Sequence, residues 1–180
     1  MRTTTVVVAV GVLASVASAD DRRIVAVNGH AGVATPFGFG GVAAEATPLP
    51  ALSVEAGVGK GLSGVQLALH PRLRVITVEC CQAYSIGLGA SVGRYERRDP
   101  WWGIEYLPTV FDTAVWGNLD VGFELRIPHG VQFRMYVGLS VLAYGHVLSC
   151  ADRNGPRMDC PSTDRGTILP YVGVSGGFGN

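Results

Sequence analysis

The sequence predicts an all-β chain, an antiparallel up-and-down β-barrel of about eight strands, from three observations: period-two alternation, the lengths of its connections, and dispersed glycine. From Val65 to Val75 the odd positions Val65, Leu67, Leu69, Pro71, Leu73 and Val75 are apolar, and the even positions include Gln66, His70, Arg72 and Arg74. That is a strand with one greasy face and one polar face. Leu119–Ile127 repeats the pattern, with Leu119, Val121, Phe123, Leu125 and Ile127 opposite Asp120, Gly122, Glu124 and Arg126. Pro128-His129-Gly130 then turns the chain, and Val131–Ala143 alternates again, so the two segments form a long hairpin. Weaker strands are expected at about 24–34, 39–47, 52–59, 83–95 and 167–178. The 25 glycines are spread through these apolar segments, which helix interiors tolerate poorly.

The connections carry the second argument. Those after the second, fourth and sixth strands, Pro48–Ala51, about 76–82 and Pro128–Gly130, are short. Those after the fifth and seventh, about 96–115 and 145–166, are long and rich in polar or aromatic residues. Short turns at one end, long loops at the other and an even strand number are the arrangement of barrels that span an outer membrane. Pro71 removes a ladder donor on the apolar face, which predicts a bulge or a strand end there.

Composition excludes several function classes. A chain of 180 residues, 48% hydrophobic and 16% charged, has the size and apolar content of one folded unit and not of a disordered tail. Fourteen Lys and Arg balance fourteen Asp and Glu, so no basic field exists to hold nucleic acid. The first nineteen residues read as a signal peptide: Arg2 starts it, Val6–Val16 is nearly all apolar, and Ala17-Ser18-Ala19 offers a cleavage site. The apolar run is shorter than the roughly 20 residues a membrane helix needs. Residues 20–180 are then the exported domain, beginning at Asp20 with no Cys to accept a lipid.

Motifs for chemistry are weak. Gly59-Lys60-Gly61-Leu62-Ser63-Gly64 matches the dinucleotide fingerprint, which works only where a helix begins and its N-terminus meets a pyrophosphate. A period-two strand begins there instead. Gly89–Gly93 and Gly173–Gly177 match the serine-hydrolase elbow but lie inside alternating segments, where small inward residues leave room for long side chains from other strands. His30, His70, His129 and His146 have no ligand-like spacing, and the four cysteines form no paired hooks, so neither metal nor cofactor is expected. Trp101, Trp102, Tyr106 and Trp116 cluster around a long connection, where they are expected to serve as interfacial aromatics of a membrane girdle or to contact a ligand.

The signal segment, the alternating strands, the glycine-rich Gly87–Gly93 and the closing Pro170–Phe178 resemble the small outer-membrane β-barrel proteins, similar to the membrane domain of outer-membrane protein A. The resemblance covers the whole exported part and is one of pattern. It implies a place in a bacterial outer membrane, outer-membrane lipid as neighbour, and the barrel-assembly machinery as partner during biogenesis. That machinery reads a terminal aromatic in the family, whereas here Gly179 and Asn180 follow Phe178.

Two functional classes follow. One is a non-enzymatic outer-membrane protein with a structural or interaction role, a side-chain-filled lumen and two long outer loops whose ligand the sequence does not name. The other is a secreted, soluble, lipocalin-like barrel holding a small apolar ligand. They differ in which face of each strand points inward. The polar faces would bring Glu45, Glu55, Asp120 and Glu124 together with Arg72, Arg74, Arg126 and Arg134, a lumen network of four negative and four positive groups. Cys150 and Cys160 are expected to form a disulfide across the last loop, since export delivers them to an oxidising space. Cys80 and Cys81 are adjacent and bond only through a strained ring, so they stay thiols or pair between chains.

Overall fold

The computed structural model describes residues 25–61, 64–78, 81–97, 109–127, 130–150 and 167–179. The expected signal segment, Trp101, Trp102, Tyr106, Cys80, Cys160 and the side chain of Cys150 lie outside the described residues, and with them the expected disulfide.

The chain forms eight strands: β1 (Val25–Thr35), β2 (Gly38–Leu49), β3 (Leu52–Gly61), β4 (Gly64–Val78), β5 (Gln82–Arg97), β6 (Thr109–Arg126), β7 (Val131–Cys150) and β8 (Ile168–Gly179). Each pairs antiparallel with the next, and β8 pairs with β1, so the sheet closes in strand order with no free edge. Closure also tilts and staggers the strands.

Strands β6 and β7 run farther than the alternation alone predicts. The expected connection at 96–115 contains the start of β6, whose ladder with β5 continues to Arg97 opposite Thr109. Likewise β7 continues through the expected loop start at Gly145 to Cys150, opposite Thr109. Register shifts at Val110/Phe111, Phe111/Thr113 and Val115/Trp116 break the period there, which hides the strands from a two-residue reading. Pro71 is another correction. It stays inside β4 opposite Val54, and the irregularity falls at Arg74/Ile76.

The alternation determines the two faces. Val65, Leu67, Leu69, Leu73 and Val75 point outward, while Ala68, His70 and Arg72 are buried. On β7, Phe133, Met135, Val137, Leu139 and Val141 are exposed, and Arg134, Tyr136, Ser140 and Leu142 are buried. The barrel is therefore polar inside and greasy outside through most of its height. Around the lower end, beside the short turns, Tyr84, Phe123, Phe133 and Phe178 form an outward aromatic row, with Tyr84 and Phe123 packed at 5.4 Å. Phe39 and Tyr144 face outward toward the other end.

Glycines make room for the large inward side chains. A Cβ at Gly87 or Gly89 would meet the His70 ring, one at Gly122 the Arg134 guanidinium, one at Gly173 Tyr136, and one at Gly138 Tyr171. Each bulky residue thus lies over a glycine of the neighbouring strand, which lets a small barrel fill its own interior.

The upper interior is apolar. Phe111, Ala114, Trp116 and Leu142 form one buried cluster, with Tyr95 and Leu169 against it. Trp116 is only 6% exposed and faces inward, so it does not belong to an outer girdle. Its even number already shares the parity of Asp120 and Asn118. Across the barrel, the β1–β2 turn tucks Phe37 into the lumen, where it is 2% exposed and stacks on His30 at 4.1 Å. Thr35 Oγ1 donates to the Gly38 carbonyl at 2.6 Å and tightens this turn. Gly38 adopts φ 75°, and a side chain there would strike the Lys60 backbone.

Candidate functional site: the lumen charge network

The lower half of the lumen is the one extensive polar constellation among the described residues. Its charged members come from alternate positions of five strands, and all point inward because the pleat places every second residue on one face. Glu45 on β2, Glu55 on β3, Arg72 and Arg74 on β4, Asp120, Glu124 and Arg126 on β6, and Arg134 on β7 all reach it.

Arg72 is the hub. Its Nη2 lies 2.9 Å from Glu45 Oε2 and its Nη1 3.1 Å from Glu55 Oε2, and its side chain is 2% exposed. The planar fork suits this double contact, which a lysine could not reproduce. Asn28 adds hydrogen bonds of 2.8 Å to both Glu45 and Glu55. His30 Nε2 is 2.9 Å from Glu55 Oε1, and its Nδ1 is 3.2 Å from the Tyr136 hydroxyl. Glu55 is thereby held by three different side chains.

A second centre forms on Asp120. Arg134 donates to it through Nη2, and the Tyr171 hydroxyl donates to Oδ2 at 3.2 Å. His70 Nε2 lies 3.3 Å from the same oxygen but lacks the alignment of a hydrogen bond. The Arg134 guanidinium also sits 4.7 Å above the Tyr136 ring.

Toward the short turns, Arg74 Nε donates to Glu124 Oε2 at 2.9 Å and Arg74 Nη1 donates to the Pro50 carbonyl at 2.7 Å. Arg126 Nη2 approaches Glu45 Oε1 only to 3.5 Å. Above the charges, Ser91 accepts from Gln66 and Asn118, and Ser140 donates to Asn118 at 2.7 Å. The eight charged residues singled out in the sequence are thus brought into one connected network. Asn28, His30, His70, Tyr136 and Tyr171 complete it. Parity marks them as inward, but nothing in their spacing marks them as partners of particular carboxylates.

Chemically, the arrangement pairs most of its charges with one another, although Glu45 Oε1, Glu124 Oε1, Arg126 Nε and Arg134 Nε make no hydrogen bond. The cavity between Glu45, Arg72, Glu124, Arg126 and Arg134 holds about 10 Å³, the space of a single water. Burying these charges unpaired would be costly, and the pairing offsets that cost. No set of three or more His, Cys, Asp or Glu among the described residues is arranged to hold a metal ion. The two elbow-like glycine motifs lie within β5 and β8, and the fingerprint-like one joins β3 to β4. Compared with known protein families and with curated proteins, the chain matches none of either.

Proposed function

We propose that the protein is a small outer-membrane β-barrel protein of Gram-negative type, without an enzymatic step, whose barrel is a membrane-embedded support and whose two long connections make its outside contacts. One observation carries this reading: burial is inverted relative to a water-soluble protein. Val27 is 62% exposed, Leu67 54%, Val137 54% and Phe178 70%, while Glu55, Arg72 and Asp120 are at most 2% exposed. A continuous apolar exterior in water drives association, whereas a lipid-spanning sheet requires it.

The height of the band agrees. From Phe133 to Tyr144, at about 3.4 Å per residue and a tilt of about 40°, the outward row rises roughly 25–30 Å, against about 25 Å for the apolar band of outer-membrane barrels. Closure without an edge satisfies every ladder in lipid. The pattern resemblance to the membrane domain of outer-membrane protein A belongs to this proposal, as do export by the signal segment and insertion by the barrel-assembly machinery.

The soluble alternative, a lipocalin-like carrier of an apolar ligand, needs an apolar cavity of about 300 Å³ or more. The charge-filled lower lumen weighs against it. Fractionation separates the two readings. The membrane protein pellets with envelopes, resists high salt and is released only by detergent. Recovery in the soluble fraction without detergent overturns the proposal.

A further inference from the structure

Among the described side chains, outward-facing charge falls at one end of the barrel. Among the residues with described side chains, Glu45, Glu55, Asp120 and Glu124 are all buried in the lumen, and Arg74 and Arg126 turn inward at the short-turn end. Lys60 and Arg94 are instead exposed, at the opposite end of β3 and β5. Neither makes an ion pair among the described residues. At the short-turn end the described outward side chains include Val25, Leu49, Tyr84, Ile127, Phe133 and Phe178.

The register makes Lys60 and Arg94 neighbours. Lys60 stands opposite Val65 on β4, and Gln66 opposite Gly93, so Arg94 flanks Val65 from the other side. Two strand spacings separate the cations, roughly 10 Å of backbone, which their long side chains can close over Val65. Val65 is 64% exposed and too short to block them. Directly below, Val58, Leu67 and Val92 continue the outward apolar band. A partner at this position therefore presents an anion above a hydrocarbon surface.

We propose that Lys60 and Arg94 form a seat for the phosphate of an anionic lipid headgroup, at the rim that carries the long connections. The proposal rests on the membrane reading above and adds a ligand and a leaflet to it. Lipid supplies both required features at once, an acyl chain against Val58, Leu67 and Val92 and a phosphate one step higher. Snorkelling of Lys and Arg from the edge of the band toward headgroups is the expected geometry.

The test is native mass spectrometry of the protein released from phosphatidylcholine nanodiscs doped with phosphatidic acid. Phosphatidic acid retained above its bulk share is expected for the unaltered chain. Affinity falls roughly thirtyfold in the Lys60→Gln/Arg94→Gln variant, about fivefold for each cation removed. The Lys60→Arg/Arg94→Lys variant keeps the enrichment, which separates lost charge from disturbed folding. A protein that inserts but retains the two lipids in bulk proportion overturns the phosphate seat alone, as does a double Gln variant that binds like the unaltered chain. A protein that does not insert overturns the membrane reading and the seat together.

Discussion

Arg72 of β4 and Glu55 of β3 are diagonal neighbours across the sheet, joined at 3.1 Å with both side chains almost fully buried. Because Arg72 also holds Glu45, its loss strands two carboxylates in the lumen at once. Arg72→Met is expected to cost about 3–5 kcal/mol of stability, the penalty of breaking a buried pair from one side. Urea unfolding in lipid vesicles measures it. A loss under about 1 kcal/mol would mean that the network is solvated and not buried.

Gly173 is predicted to be intolerant for a steric reason. A Cβ there would lie 2.6 Å from the Tyr136 ring, which is pinned by its hydroxyl contact with His30. Gly173→Ala should destabilise by about 1–3 kcal/mol through overpacking. In a Tyr136→Leu background the added methyl finds space, so a double-mutant cycle should return a coupling of at least about 0.5 kcal/mol. Additive effects would contradict the packing described.

Phe37 closes the upper lumen on the β1–β2 side, buried against His30. Phe37→Ala is expected to cost about 3–5 kcal/mol, as for a buried aromatic, although the residue sits in a turn. The same unfolding assay reads it. A change within about 0.5 kcal/mol, the range of surface positions, would show that the turn does not dock.

The disulfide proposed between Cys150 and Cys160 has its own test. Non-reducing peptide mapping of the protein purified from cells should recover the two cysteines linked, and Cys150→Ser should cost roughly 2–3 kcal/mol by the loop-entropy estimate. Recovery of Cys150 alkylated without prior reduction excludes the bridge.

The fold was legible because a barrel closed on itself keeps one period through every strand. Val65–Val75 and Val131–Ala143 alternate without interruption, and parity alone distributes their side chains correctly between lumen and exterior. The same parity collects the eight network charges. Parity failed to give strand ends, since it does not report how far a neighbour continues the ladder. The β6 and β7 extensions past the bulges near Phe111 and Trp116 depend on pairing between distant segments. Phe37 was hidden differently: a turn residue carries no period, and only the tertiary position of His30 makes it part of the interior. The specific pairing of Arg72 with Glu45 and Glu55, and of Arg134 with Asp120, depends on register and side-chain length together, which composition does not encode.

The central claim is that the greasy exterior faces lipid, and Val137 tests it most directly. It lies outward near the middle of the row from Phe133 to Tyr144 on β7, 54% exposed, between Met135 and Leu139. In the membrane, Val137→Arg should lower stability by about 2–4 kcal/mol when unfolding is measured in vesicles, the cost of a cation at the bilayer midplane. A change within about 0.5 kcal/mol, as expected of a solvent-exposed surface position, would contradict the account.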